Sequence, residues 1–190
     1  MPPTSPSSES SGHATCYYLL LDPDAASMEF MLQQKAKAAS AGIPEKYTKT
    51  STPHVTLLSW EDRPEEDQWM MDGITTVLER YAAFDLLVGK ASLVGPQWGQ
   101  HLIVGVEATE RLTALIADLK KQLPKGKKGK LHLTLAYRVP GNLIPEAVLP
   151  AHFDVDRKLR FDRFTLLKYT AQRKYISLGS FLLEAEVSAT

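Results

Sequence analysis

The sequence predicts an α+β fold of two similar lobes, with mainly antiparallel strands lining a central cleft. Three observations predict it. The order strand, helix, strand, helix, strand occurs twice along the chain, as duplicated βαβαβ units. The tetrapeptide His-x-Thr-Leu occupies the same slot of each unit, at His54 to Leu57 and at His132 to Leu135. The competing architecture, a doubly wound parallel sheet, should carry a glycine-rich turn after its first strand, and that turn is Leu21-Asp22-Pro23-Asp24.

The elements follow from local pattern. Residues 1–14, MPPTSPSSESSGHA, have the Ser- and Pro-rich composition of a disordered leader, which leaves 15–190 as a single domain. Cys16 to Leu21 reads as a buried strand, and Asp22-Pro23-Asp24 supplies a helix cap and a proline suited to the first helical position. The helix runs to about Ala39, burying Met28, Met31, Leu32, the stem of Lys35, Ala36 and Ala39. HVTLLSW is the next strand. Pro64 with Glu65, Glu66 and Asp67 opens a second helix, where carboxylates suit the positive end of the dipole. That helix turns Met70, Ile74, Val77, Leu78 and Tyr81 inward, and a strand from Phe84 to Val88 follows.

The second unit repeats the order. His101 to Val106 is a strand, Thr109 caps a helix with Leu112, Leu115, Ile116 and Leu119 as its stripe, and Pro124 stops it. The basic segment PKGKKGK leads into LHLTLAYR. A helical stretch from Ile144 to Val148 and strands near Leu159 to Leu167 and Tyr175 to Leu183 complete the chain.

Composition bounds the chemistry. The 190 residues carry 22 basic and 22 acidic side chains, so any affinity for anions must come from a local arrangement. The single cysteine, Cys16, excludes a disulfide framework and suits a reducing compartment. No apolar run reaches the roughly 18 residues of a membrane span and no secretory signal pattern opens the chain, so the cytoplasm and no membrane partner are expected.

In a strand, residues two apart share a face. His54 and Thr56 therefore point together, as do His132 and Thr134, while Val55, Leu57, Leu133 and Leu135 point into the packed layer. Splitting a phosphodiester without metal needs a base for the attacking water, an acid for the departing alkoxide and donors for the non-bridging oxygens. Two histidines and two threonines supply all four, because an imidazole with a pKa of about 6.5 serves either proton role. One such tetrapeptide reads as an inert polar pair at a sheet edge; two in equivalent slots read as a catalytic kit.

These paired tetrapeptides, half a domain apart, resemble those of the 2H phosphoesterase superfamily, which includes RNA 2',5'-ligase-like proteins and cyclic phosphodiesterases. The resemblance covers about residues 15–185, with both motifs matched and only element order beyond them. It implies a pseudo-two-fold bilobal fold and metal-independent action on 2',3'-cyclic phosphates of nucleotides or RNA ends, without a cofactor. It also implies a 2'-phosphomonoester product, with His132 as base and His54 as acid. RNA 2',5' ligation or its reversal would use the same groups, and a non-catalytic RNA- or nucleotide-binding module is the reading from another class. A monomer is expected.

Further candidates surround the motifs. Tyr137 matches an aromatic hydroxyl of the cyclic phosphodiesterase branch, but regular strand parity sets it opposite His132, so it reaches the cleft only if the strand bends. Arg138 has the favourable parity, with a surface ion pair as its alternative. Lys128 and Lys130, beside Gly126 and Gly129, could bring cations and free N–H groups to the cleft mouth, or form a solvated loop. Trp60, Trp98, Tyr18 and Tyr47 could stack on a base; Trp60 shares the parity of His54, with a core position as its alternative. A zinc site would need a third ligand from His101, His152 or a carboxylate, and the spacing offers none, so no metal is expected.

Overall fold

The structure, a computed structural model, describes residues 15–61, 66–145, 153, 155–170 and 172–184. The leader, Pro64 and Glu65 of the second helix's start, the helical stretch beyond Pro145 and His152 lie outside the described residues.

Strand β1 (Cys16–Pro23) leads into helix α1 (Ala25–Ser40), whose N-cap is Asp24, accepting from the Ser27 N–H at 2.8 Å. Pro23 is thus the last strand residue and not the first helical one; a strand's end tolerates its missing N–H. The buried stripe of α1 is Ser27, Met31, Lys35 and Ala38, rotated from the expected one, and Leu32 and Ala36 face out. The rotation follows from Ser27, whose Oγ accepts the Arg160 N–H at 2.9 Å and docks that face on the sheet. An unforeseen short helix, α2 (Glu45–Thr48), occupies the polar loop before β2 (Val55–Glu61).

Helix α3 (Asp67–Leu78) buries Met70, Ile74, Val77 and Leu78 as expected. Its first-turn Asp67 also accepts from Tyr17 at 2.5 Å and Lys168 at 2.8 Å, tying the helix start to the sheet. Tyr81 lies past the helix end, its hydroxyl donating to Asp118 at 2.9 Å. Strand β3 (Phe84–Val94) runs beyond Val88 into a hairpin with β4 (Gln100–Val106). Helix α4 (Glu110–Gln122) is capped by Thr109 and buries its four predicted residues. Strands β5 (Lys127–Lys128), β6 (His132–Val139), β7 (Arg157–Tyr169) and β8 (Tyr175–Leu182) complete the described strands, and a 3-10 turn, Gly141–Leu143, follows β6.

The strands pair antiparallel in the order β5-β2-β1-β7-β3-β4-β6, with β8 also on β7. The fold is the predicted α+β one, but its lobes are not the two halves of the chain. The pair β1–β2 is completed by β7 and β8 from the second half, and the pair β4–β6 by β3 from the first. Strand β7 joins the lobes, its residues 161–169 on β1 and its residues 157–161 on β3. Helix α1 packs on β1, β6 and β7, and α3 packs on α4 and β8. One apolar core, with Tyr17, Trp60, Phe161 and Phe164 among its fully buried members, runs through both lobes. Among the described residues no helix is long and apolar enough to cross a membrane.

Candidate active site

Strands β2 and β6 approach each other to within 8 Å, Cα to Cα, and form two sides of a cleft of about 340 Å³. His54, Thr56, His132 and Thr134 all line it, with Leu20 and Leu167 from β1 and β7 among its apolar residues. Each histidine is half-buried, His54 immediately before β2 and His132 as the first residue of β6.

Both rings are held in the same way. His54 Nδ1 lies 2.9 Å from the Thr52 carbonyl and His132 Nδ1 lies 2.8 Å from the Lys130 carbonyl, each two residues back along the chain. A carbonyl can only accept, so each Nδ1 carries the proton and each Nε2 is left for the cleft. Burial holds His54 below the ordinary histidine value; the Thr52 carbonyl and the Asp22 carboxylate oppose this, and Lys35 and His132 add to it. Asp22 itself is raised by burial while accepting from Thr165 Oγ1 at 2.6 Å.

A bulge follows each pair of polar residues. Leu19 is opposite Leu58 and Leu20 opposite Thr56, so Leu57 is the extra residue of β2. Likewise Leu102 is opposite Ala136 and Ile103 opposite Thr134, so Leu135 is the extra residue of β6. The leucine of each His-x-Thr-Leu motif is thus the inserted residue, and the alternation of faces resets beyond it.

The reset decides the flanking candidates. Tyr137 lines the cleft, because the strand bends as its placement required. His101 packs edge-on against its ring, with centroids 4.5 Å apart. Arg138 lies outside the cleft lining: a second register shift before Val139 leaves it exposed at φ 53°, its guanidinium 5.2 Å from the centre of the Tyr137 ring. Trp60 is turned into the core, 1% exposed, with Nε1 donating to the Leu123 carbonyl at 3.2 Å. The regular parity that put it beside His54 is broken at Leu57.

Nor do the basic-segment residues line the cleft. Lys128 is exposed and pairs with the buried Leu58, and Lys130 is exposed, its carbonyl accepting from His132. The glycines serve packing: Gly129 donates to the Leu57 carbonyl at 3.1 Å, and a Cβ there would meet the Thr56 carbonyl oxygen at 2.6 Å. At Gly126 a Cβ would meet the Trp60 indole at 2.9 Å.

Of the aromatic candidates, Tyr18 lines the cleft, Tyr47 packs against the core, and Trp98 stands exposed on the β3–β4 hairpin. Tyr175 was missed by sequence reasoning. It lines the cleft, with ring centroids 6.0 Å from Tyr18 and 4.8 Å from Tyr169. Its signal was available, since the Tyr169 and Tyr175 pair closes the β7–β8 hairpin. Burial pushes the Tyr18 hydroxyl up to about 12, so it stays a neutral donor near neutrality. The lining contains no lysine or arginine among the described residues. Nor do three His, Cys, Asp or Glu side chains converge to hold a metal ion among them.

The family profile described as the 2'-5' RNA ligase superfamily matches residues 23–173, which includes both motifs. The chain belongs to this superfamily, the 2H phosphoesterases. Solved structures share the fold of this 2H chain. Escherichia coli LigT complexed with phosphate superposes with a TM-score of 0.58 at 18% identity, over 90% of this chain and 99% of that one. LigT complexed with 3'-AMP gives 0.60 at 18% identity over the same shares. The protein TT0787 of Thermus thermophilus gives 0.60 at 20% identity, again over 90% and 99%. No match is found among curated proteins.

Proposed function

We propose that this cleft hydrolyses 2',3'-cyclic phosphates of nucleotides or RNA ends by two-histidine acid–base catalysis without metal. The observation that carries the reading is the matched tethering of the two Nδ1 atoms, which leaves both Nε2 atoms to one cleft holding two threonine hydroxyls. Nε2 of His132 takes a proton from water as its oxygen bonds to phosphorus. The P–O3' bond breaks, and His54 gives its Nε2 proton to O3', so one water is consumed and a 2'-phosphomonoester leaves. Thr56 and Thr134 donate to the non-bridging oxygens, where charge builds. The depressed pKa of His54 makes its imidazolium the readier proton donor.

Tyr18, Tyr137 and Tyr175 offer aromatic faces for the base. That E. coli LigT is seen with phosphate, 3'-AMP and ATP on this fold supports a nucleotide ligand. The test is ³¹P NMR of 2',3'-cyclic nucleotides incubated with the protein in EDTA. The cyclic phosphate signal should give way to that of a 2'-monophosphate. Binding without turnover would leave a nucleotide-binding module, and turnover abolished by EDTA would overturn the metal-free mechanism. Adding 5'-hydroxyl oligonucleotide to cyclic-phosphate RNA tests ligation, with 2',5'-linked product as the contrary result.

A further inference from the structure

We infer that Lys35 is the positioning residue of His54: from the helix layer its ammonium anchors the segment ahead of β2 and so fixes which nitrogen of the imidazole faces the cleft. The inference rests on the reading of His54 as one of the acid–base pair. Lys35 sits on the buried stripe of α1, 5% exposed, and its Nζ donates to the Ser51 carbonyl. An ammonium is buried only when its donors are met, and a backbone carbonyl meets one of them. The anchored residue is next to the active group. Ser51 and Thr50 line the cleft, and the Thr52 carbonyl is the acceptor of His54 Nδ1–H.

The two motifs differ in what holds them. Ahead of His132 the chain is pinned on both sides of Lys130 by main-chain bonds, Gly129 N–H to the Leu57 carbonyl at 3.1 Å and Val106 N–H to the Leu131 carbonyl at 3.0 Å. Ahead of His54, the segment from Lys49 belongs to neither helix nor strand, since α2 ends at Thr48 and β2 begins at Val55. The lysine supplies from a side chain what the second motif obtains from backbone pairing. It also acts through its charge. The charged and titratable groups facing His54 are Asp22 on β1, Lys35 on α1 and His132 on β6; the carboxylate favours the imidazolium and the other two oppose it.

The test is ¹⁵N NMR of the histidine rings in the full chain, without substrate, in wild type and Lys35→Met. In wild type, neutral His54 should be the Nδ1–H tautomer. In Lys35→Met it should lose that tautomer, while His132 keeps its own as internal control. With a cyclic nucleotide, kcat/KM of the folded variant should fall at least about tenfold, a loss of about 1.4 kcal/mol or more of transition-state stabilisation, and Lys35→Arg should restore most of it. A folded Lys35→Met with the tautomer unchanged would overturn the assignment. If Lys35→Met does not fold, Lys35→Gln decides it: the missing charge should raise the His54 titration, and an unchanged titration would overturn the inference. An Nε2–H tautomer of His54 in wild type would overturn it without any variant. Because these spectra need no turnover, they stand or fall separately from the phosphodiesterase reading.

Discussion

At His54 and His132 the tethered atom is Nδ1, not the Nε2 to which the proposed reaction gives the chemistry. Each Nδ1 is tied to a carbonyl two residues back, so the orientation of each ring is set by its own approach to the strand. This is a positional requirement that residue type alone does not reveal; His-x-Thr-Leu was legible in the sequence, and the tether was not. The roles can be separated with a nitrophenyl phosphodiester, whose leaving group departs without a proton. His54→Asn should then be far less impaired than on a ribose cyclic phosphate, while His132→Asn stays slow; the reverse pattern would exchange acid and base. The pH dependence has a definite sign. Burial disfavours the His54 imidazolium, so the limb of kcat/KM belonging to His54 should lie below the ordinary value of about 6.5 and be absent from the residual activity of His54→Asn.

At the scale of the element, the bulges explain why some neighbours were placed correctly and others not. Strict alternation puts Trp60 beside His54 and Tyr137 away from His132; one inserted leucine in each strand reverses both. A bulge leaves no clear mark in a run such as HVTLLSW, where Leu57 and Leu58 fit either face. Trp60→Ala should therefore act on folding, costing about 3–5 kcal/mol, whereas Trp60→Phe should leave KM unchanged. Tyr175→Ala should do the opposite, leaving the melting temperature close to wild type and raising KM by about five- to 150-fold, the equivalent of 1–3 kcal/mol of stacking. Gly129→Ala tests the basic segment: its methyl must displace the Thr56 backbone, so activity should fall although the residue is outside the cleft.

At the scale of the molecule, the duplication was legible because the order of elements repeats, and the exchange of third strands was not, because pairing partners are set by packing between distant segments. That exchange makes β7 common to both lobes and places β2 and β6 on opposite sides of one cleft. The whole chain has no net charge and the described cleft lining has no lysine or arginine, so in the proposed reaction a phosphate would be met by imidazoles and hydroxyls. KM for a cyclic mononucleotide should accordingly change little with salt, with a logarithmic slope below about one, where a strand held at several phosphates would give about 0.7 per contact. The central claim, that the two motifs act as one unit on one phosphate, is tested most directly by kcat/KM for a 2',3'-cyclic nucleotide in EDTA across wild type, His54→Asn, His132→Asn and the double variant. Each single variant should lose about 10²- to 10⁴-fold, with the double variant little worse than either. Losses that multiply in the double variant, or a single variant within about tenfold of wild type, would contradict it.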